Sequence, residues 1–209
     1  KEAKAQVALM EKALVLLRDG KPARLADISE DEEQEWKKLQ LLTSKPVLYV
    51  CNVDEASAAA GNDFSRAVAA RAEAEGAAFV VISAKIEAEL AQLDDEEAAE
   101  YLESLELEEP GLNRLIHSGY KLLGLQTYFT VGPKEARAWT IREGWTAPQA
   151  AGVIHGDFEK GFIRAETIAY DDFIANGGES GAKEAGKMRQ EGKEYVVKEG
   201  DVLHFRFNV

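Results

Sequence analysis

The first 44 residues show a helical pattern of apolar positions. Four apolar residues recur at alternating steps of three and four: Val7, Met10, Leu14 and Leu17. A capping box at Ser29–Glu32 then opens a second amphipathic stretch that continues past Trp36. We predict an antiparallel helical arm of the coiled-coil type over residues 1–44. We favour an interpretation in which the apolar seams of the two helices pack on each other. The alternative is that a seam is exposed and binds a partner helix.

Residues 45–125 show the pattern of an α/β unit. The apolar runs Val47–Cys51 and Ala78–Ile82 have the character of buried parallel strands, and an alanine-rich helix that ends at Gly76 separates them. This order predicts a βαβ unit with a right-handed crossover. Helices are expected around 96–105 and 112–123. Two strands cannot complete a doubly wound sheet, so we expect its other strands outside this sequence.

From Gln126 onward the pattern changes to short strands with glycine and proline between them. We predict a hairpin of Thr127–Val131 with Ala136–Ile141, and then a helix from Thr146 to Ile154. At the end, Val202–Val209 alternates apolar and polar side chains, and Tyr195–Val197 is predicted to pair with it as a hairpin. The glycine-rich stretch Asn176–Gly192 is predicted to be a long mobile loop. This order favours a β-grasp domain over residues 126–209.

The charge of the chain is strongly negative and unevenly distributed. Its formal net charge is −13; residues 1–125 carry 14 basic and 25 acidic side chains, whereas residues 126–209 carry 11 and 13. Affinity for duplex DNA comes mostly from Lys and Arg, so we expect no DNA binding, and any polyanion partner should prefer the C-terminal part. Glu87–Glu109 has 11 acidic and no basic residues. We interpret it as a solvated surface, with an interaction surface as the alternative.

The hydrophobic content and the single cysteine indicate the cellular location that the sequence favours. Hydrophobic residues make up 45% of the chain without a continuous apolar run of membrane-spanning length, so we expect no membrane partner. The single cysteine, Cys51, excludes an intramolecular disulfide and favours a cytoplasmic location. Neither Cys51 nor the three scattered histidines have the spacing of a metal site. A helical period is already present at Lys1, so we expect further sequence upstream.

Two short motifs follow the two predicted parallel strands. Asn52-Val53-Asp54-Glu55 comes directly after the first strand, and Ser83-Ala84-Lys85 comes directly after the second. In open α/β sheets ligands bind beyond the carboxyl ends of the strands, so both motifs occupy ligand-binding positions. The alternative is that Asn52 and Ser83 only cap local structure. Capping would explain either motif, but not their occurrence together at adjacent strand ends.

The paired motifs, the helical segment and the C-terminal run Gly200–Val209 resemble the YchF family, known in eukaryotes as Obg-like ATPases. The resemblance extends over essentially all 209 residues. It implies an incomplete P-loop NTPase-type α/β domain over residues 45–125 and a TGS-type β-grasp domain over 126–209. It also implies that six residues contact or tune recognition of the nucleotide base: Asn52, Val53, Glu55, Ser83, Ala84 and Lys85.

Base preference is expected to depend on how this motif departs from the guanine-specific Asn-Lys-x-Asp pattern. Val53 replaces the lysine and Glu55 replaces the aspartate. A longer carboxylate at Glu55 should disturb recognition of guanine, and Asn can pair with adenine N6 and N7. The resemblance likewise associates the Asn-x-x-Glu motif with ATP in preference to GTP.

Phosphate chemistry is not expected from this sequence. The nearest match to a phosphate-binding loop, Gly181–Met188, has Met188 where a Mg²⁺-binding hydroxyl is required, and no buried strand precedes it. The resemblance implies that Mg²⁺ accompanies ATP in the full-length protein and that the phosphate loop lies upstream of Lys1. We therefore expect this segment to hold no cofactor, to have no catalytic residue and to be inactive alone.

The resemblance implies part of a ribosome-associated ATPase that is linked to translation and redox control. A nonenzymatic module that binds RNA or the ribosome is the main alternative, and a protein-interaction scaffold that uses the helical arm is another. Five basic residues are candidates for RNA phosphate contacts: Lys183, Lys187, Arg189, Lys193 and Arg206. The competing interpretation is a solvated loop, because Glu184, Glu191 and Glu194 dilute its positive charge.

Overall fold

The computed structural model describes residues 2–208, and the side chains from residue 3. The described chain divides into two compact units, one up to Leu122 and the other from Leu123 onward. The finer division of the first unit into residues 1–44 and 45–125 remains a prediction. None of the described helices is long and apolar enough to cross a lipid bilayer.

The first unit begins with helix α1, Glu2–Arg18, and a shorter second helix than the sequence predicts. Helix α2 covers only Glu33–Lys38 between two 3₁₀ turns, Glu30–Glu32 and Leu42–Ser44. The predicted capping box is present: the Ser29 amide donates to Glu32 Oε2 at 3.1 Å. It opens the first of these 3₁₀ turns, which leads directly into α2.

The buried face of α1 is not the predicted one. Leu9 and Ala13 are almost fully buried and pack with Ala23 and Trp36. The four residues of the predicted seam are all exposed: Val7, Met10, Leu14 and Leu17. The prediction that the two apolar seams pack on each other is therefore wrong. The described residues 3–208 cover α1 along Leu9 and Ala13, and the heptad-spaced stripe remains at the surface.

The predicted βαβ unit is confirmed. Strand β1, Leu48–Asn52, lies parallel to β2, Ala78–Ile82, and helix α3, Asp63–Glu75, connects them. Asn62 caps the start of α3, and Gly76 ends it at φ = 61°, in the left-handed region that glycine enters without strain. Val50 in the middle of β1 is 45% exposed, so the described residues do not bury this strand on both faces.

Three further helices complete the first part of the chain. They are α4 (Ala84–Leu90), α5 (Asp95–Ser104) and α6 (Gly111–Leu123). Helices α5 and α6 match the two that were predicted near 96–105 and 112–123.

The second unit contains one mixed sheet of five strands, which lie in the order β4-β3-β7-β5-β6. The strands are β3 (Leu125–Val131), β4 (Ala136–Arg142), β5 (Phe162–Ile168), β6 (Arg189–Glu191) and β7 (Val202–Phe207). Strands β3 and β4 form the predicted antiparallel hairpin. In the centre of the sheet, β7 is parallel to β3 and antiparallel to β5.

The helices of this unit lie between its strands in the sequence. They are α7 (Ala147–Ile154), α8 (Gly156–Lys160), α9 (Tyr170–Ala175) and α10 (Glu179–Glu184). The predicted start of α7 is confirmed, since the Thr146 amide donates to Gln149 Oε1 at 2.8 Å. The alternation in β7 is also confirmed: Leu203 and Phe205 are buried in the main core, whereas His204 and Arg206 are exposed.

Two predictions for this region are wrong. Asn176–Gly192 is not a long mobile loop, because it contains α10 and the strand β6. Tyr195–Val197 does not form a hairpin with β7; Val196 makes only an isolated bridge to Thr146. Strand β7 pairs instead with β5. The sequence does not indicate β5 as a strand, because its apolar and polar residues do not alternate regularly.

Candidate nucleotide-base site

The two sequence motifs meet at one edge of the β1–β2 pair. Asn52 lies opposite Ile82 in the parallel register, so Asn52-Val53 and Ser83-Ala84 leave the sheet side by side. The side chain of Asn52 reaches across, and its Oδ1 accepts a hydrogen bond from the Ala84 amide at 2.9 Å. The Val53 amide donates to the Ile82 carbonyl, also at 2.9 Å. Two hydrogen bonds therefore connect the motifs, one to a side chain and one between backbone groups.

The Asn52 side chain provides a hydrogen-bond acceptor for the first turn of helix α4. The first amides of a helix have no partner within it, and a side-chain oxygen usually supplies one. Ser83 precedes α4 but its side chain makes no capping bond, so the interpretation of Ser83 as a simple cap is wrong. Asn52 is indeed a cap, but for a helix 32 residues away in the sequence. This long-range cap holds the two motifs in register.

Ser83 itself is buried rather than presented at the surface. It is 2% exposed, and its hydroxyl oxygen has no hydrogen-bond partner among residues 2–208. A buried hydroxyl without a partner loses its hydration without compensation. In this structure the Ser83 side chain is therefore not presented to a ligand at the surface.

Glu55 and Lys85 form an ion pair beside Asn52. The Lys85 ammonium lies 2.5 Å from Glu55 Oε2, and the hydrogen bond to Glu55 raises the pKa of Lys85. Asp54, the third residue of the first motif, accepts a bond from the Ser57 amide and caps the 3₁₀ turn Glu55–Ser57. The ion pair orients the Glu55 carboxylate at the same edge as Asn52.

Two neighbours of this ion pair were not among the predicted site residues. Glu89 lies one turn after Lys85 on α4 and also raises the pKa of Lys85, while Tyr101 on α5 donates a hydrogen bond to Glu89. This bond, together with burial and the nearby negative charges, raises the pKa of Tyr101 to about 12. The four-residue spacing of Lys85 and Glu89 is a signal in the sequence. No local pattern relates Tyr101 to the motif, because it belongs to another helix.

The edge presents a definite set of hydrogen-bonding groups. Because Asn52 Oδ1 accepts from Ala84, its amide nitrogen is the end available as a donor to a ligand. The Glu55 carboxylate can only accept. The first bond within α4 runs from the Glu87 amide to the Ser83 carbonyl, so the amides of Lys85 and Ile86 have no partner inside the helix. This combination of donors and one acceptor can hydrogen-bond the edge of a heterocyclic base.

The five basic residues proposed for RNA contacts lie in the second unit in two different situations. Three of them are paired with acids: Lys187 with Asp172 at 3.1 Å, Arg189 with Glu191 at 3.0 Å, and Arg206 with Glu166 at 3.0 Å. Lys183 on α10 and Lys193 after β6 are exposed and have no ion pair within the described range 3–208. The structure therefore does not bring the five together as one set of free cations.

The segment Gly181–Met188 does not have the structural context of a phosphate-binding loop. It begins inside α10, which follows another helix rather than a strand. A Cβ atom at Gly181 would lie 1.9 Å from the Asn176 carbonyl oxygen, so this glycine permits the close approach of α10 to the end of α9. Over the described part of the chain, no three His, Cys, Asp or Glu side chains are grouped to hold a metal ion.

Comparison with known proteins gives consistent matches. Residues 125–208 match the family YchF-GTPase_C, described as "Protein of unknown function (DUF933)". The whole chain is 56% identical to the "Ribosome-binding ATPase YchF" of Pasteurella multocida (strain Pm70) and covers 57% of it. It is 51% identical, over 211 residues, to the protein of the same name from Bacillus subtilis (strain 168) and covers 58% of that relative.

Solved structures agree with the sequence matches. The chain is similar to the Schizosaccharomyces pombe YchF GTPase, with a TM-score of 0.80 at 37% identity over 95% of this chain and 53% of the other. A GTP binding protein from Pyrococcus horikoshii OT3 shares the fold, with a TM-score of 0.57 at 17% identity. The chain thus spans a little more than half the length of the relatives that it matches.

Proposed function

Because the chain belongs to the YchF family, we propose that it supplies base recognition to a ribosome-associated, nucleotide-binding ATPase of the cytoplasm. The relatives that match the whole chain carry the name ribosome-binding ATPase. We assign the base contacts to two segments, Asn52–Glu55 and Ser83–Lys85. As the resemblance to the family implies, Mg²⁺ would accompany ATP in the full-length protein, with the ligands of the ion in sequence other than these two segments.

The observation that carries this proposal is the hydrogen bond from the Ala84 amide to Asn52 Oδ1. It unites the two motifs and fixes the side-chain amide of Asn52 with its nitrogen outward. An outward N–H₂ group donates to an acceptor such as N7, which both purines possess. Asn52 would therefore select a purine without distinguishing adenine from guanine.

Discrimination between the purines would depend on Glu55 and on the backbone at Ala84. Guanine presents the acceptor O6 where adenine presents the donor N6–H₂. The Ala84 amide could donate to O6, but it already donates its hydrogen bond to Asn52 Oδ1. Glu55 contributes an acceptor-only carboxylate that suits adenine N6–H₂. These features support ATP as the preferred nucleotide over GTP.

The test is a change of the base-reading residues in the complete protein with its upstream sequence. The double substitution Val53→Lys with Glu55→Asp should shift preference from ATP toward GTP, measured by competition of the two nucleotides for one labelled analogue. Glu73→Asp, a change of the same kind on α3, is the matched control and should leave the preference unaltered. An unaltered preference in the double variant would overturn the assignment of Glu55.

For the second unit we propose a TGS-type β-grasp domain that contacts the ribosome or RNA. The strand order β4-β3-β7-β5-β6, with α7 following the first hairpin, supports a β-grasp. Residues 126–209 have a formal charge of only −2, against −11 for residues 1–125, which favours polyanion contact here. Lys183 and Lys193 are the strongest candidates, since Lys187, Arg189 and Arg206 already pair with acids.

Ribosome binding at two salt concentrations tests this second proposal. Changing Lys183 and Lys193 together to alanine should weaken cosedimentation with ribosomes. It should also reduce the slope of log affinity against log salt concentration by the equivalent of about two phosphate contacts. Lys4→Ala with Lys45→Ala removes the same charge from the first unit and is the control. If both double variants retain full binding and the original salt slope, these lysines do not contact RNA.

A further inference from the structure

A chain of polar contacts leads away from the ion pair at the candidate base site. The Tyr101 hydroxyl on α5 donates to Glu89 Oε2, and Glu89 lies one helical turn after Lys85 on α4. The Lys85 ammonium in turn contacts Glu55 Oε2 at 2.5 Å. Three elements therefore contribute to one cluster of side chains: helix α4, helix α5 and the 3₁₀ turn that begins at Glu55.

The Lys85 ammonium is shared between two carboxylates of this cluster. Glu55 and Glu89 both raise the pKa of Lys85, Glu55 more strongly. The charge of Glu55 also contributes to raising the pKa of Tyr101, so the four side chains act on one another. Two carboxylates and one ammonium leave the cluster with an excess negative charge. Such a cluster favours a base edge that donates hydrogen bonds over one that accepts them.

Tyr101 gives this cluster a fixed end. An ion pair between exposed side chains orders them only weakly, and Lys85 and Glu55 are 66% and 37% exposed. Glu89 is half-buried and is held by a hydrogen bond from a different helix. Charged groups that belong to a hydrogen-bonded network keep a more definite geometry than an isolated pair does. The bond from Tyr101 therefore restricts Glu89, and Glu89 restricts Lys85.

We propose that Glu89 and Tyr101 are positioning residues that determine which purine the base site accepts, an inference that rests on the proposed function. Glu89 draws the Lys85 ammonium away from the base edge, and Tyr101 holds Glu89 in place. Without Glu89, Lys85 would be free to donate to guanine O6. Lys85 would also pair with Glu55 alone, which would leave that carboxylate less available to adenine N6–H₂. Both effects favour guanine, so the intact cluster favours adenine.

The cluster itself is tested in the 209-residue chain without nucleotide. The Tyr101 hydroxyl should titrate with a pKa of about 12, followed by NMR of ¹³C-labelled tyrosine and assigned with Tyr101→Phe. Glu89→Gln should lower this pKa toward the ordinary value near 10, because a neutral amide oxygen replaces the carboxylate. Glu103→Gln removes the same charge from an exposed position on α5 and should leave the pKa unaltered. A pKa near 10 in the original chain would overturn the proposal.

The effect on base preference is tested in the complete protein, by competition of ATP and GTP for one labelled analogue. Glu89→Gln should reduce the preference for ATP roughly fivefold, and Tyr101→Phe, which leaves every charge in place, should reduce it roughly threefold. Glu103→Gln is again the control and should leave the preference unaltered. Because Tyr101 acts through Glu89, adding Tyr101→Phe to Glu89→Gln should have less effect than Tyr101→Phe has alone.

The ratio of the two affinities separates positioning from a merely structural role. A structural defect would weaken ATP and GTP alike, and equal losses in Glu89→Gln and Tyr101→Phe would overturn the proposal.

The same competition separates this inference from the proposed function. If the original protein prefers ATP and Val53→Lys with Glu55→Asp removes that preference, base recognition by the two motifs is supported. An unaltered preference in Glu89→Gln and Tyr101→Phe would then overturn only the roles of Glu89 and Tyr101. An original protein that binds ATP and GTP equally would overturn both the proposed preference and this inference.

Discussion

A single side chain, Asn52, has two tasks at the candidate site, one observed and one proposed. Its oxygen caps helix α4 through the Ala84 amide, and its nitrogen remains available to a ligand. Asn52→Ala should destabilise the chain by about 1 kcal/mol, the usual cost of losing a helix cap, and should also weaken nucleotide binding by the complete protein. Urea unfolding and nucleotide titration measure the two effects separately.

Asn52→Asp separates the two tasks. Aspartate keeps an acceptor for the Ala84 amide, and its negative charge suits a helix N-terminus, so stability should be close to that of the original chain. It lacks the donor, so nucleotide binding should stay weak. If Asn52→Asp bound nucleotide normally, the outward amide nitrogen would have no role in recognition.

Glu75 is the centre of a partly buried charge network in the first unit. Its carboxylate, 12% exposed, contacts Arg24 at 2.5 Å and Arg71 at 2.6 Å, and accepts from the Tyr49 hydroxyl at 2.9 Å. The bond from Tyr49 is the largest of the effects that lower the pKa of Glu75. The network joins the segment around Arg24 to strand β1 and helix α3.

This lowered pKa predicts a loss of stability in acid. A carboxyl whose pKa is lower in the folded state stabilises the fold fully above its unfolded pKa, near 4.3. That contribution disappears as the pH falls through the folded value. Glu75→Gln should therefore lower the free energy of unfolding at pH 7 and make it less dependent on pH below about 4.5. Urea unfolding between pH 3 and pH 7 checks this, with Glu73→Gln as the control; parallel profiles for both variants would contradict it.

At the scale of elements, the apolar periodicity of helix α1 does not determine which face of the helix is buried. Leu9 is 2% exposed in the cluster with Trp36, whereas Leu14 is 43% exposed. Leu9→Ala should cost about 2–4 kcal/mol because it leaves a cavity, and Leu14→Ala should cost less than about 1 kcal/mol. Chemical unfolding of the two variants decides this. Equal losses would mean that the stripe around Leu14 is buried in solution.

At the scale of the whole molecule, residues 2–208 contain the groups that we propose to bind the base but no strand-to-helix phosphate loop. The triphosphate supplies much of a nucleotide's affinity in P-loop proteins through backbone amides and Mg²⁺. We therefore expect the 209-residue chain by itself to bind Mg²⁺-ATP weakly or not at all, and to hydrolyse none. Calorimetry and a phosphate-release assay measure this. Tight, Mg²⁺-dependent binding would mean that the chain contains a phosphate site of its own.

The sequence by itself determined the elements whose signals are local. The apolar runs of β1 and β2, the capping residues Ser29 and Thr146, and the alternation in β7 each depend on neighbours within a few residues. Strand ends in a βαβ unit lie side by side by geometry alone. For this reason the meeting of Asn52–Glu55 with Ser83–Lys85 could be predicted without a structure.

Only the tertiary structure decided the features that depend on distant partners. Which stripe of α1 is buried depends on Trp36 and Ala23, and the place of β5 beside β7 depends on pairing across about 40 residues. Similarly, Asn52 becomes the cap of α4 only when separate elements pack. Burial and hydrogen bonding at these positions are set by the contacts between elements, which no local pattern of residue types records.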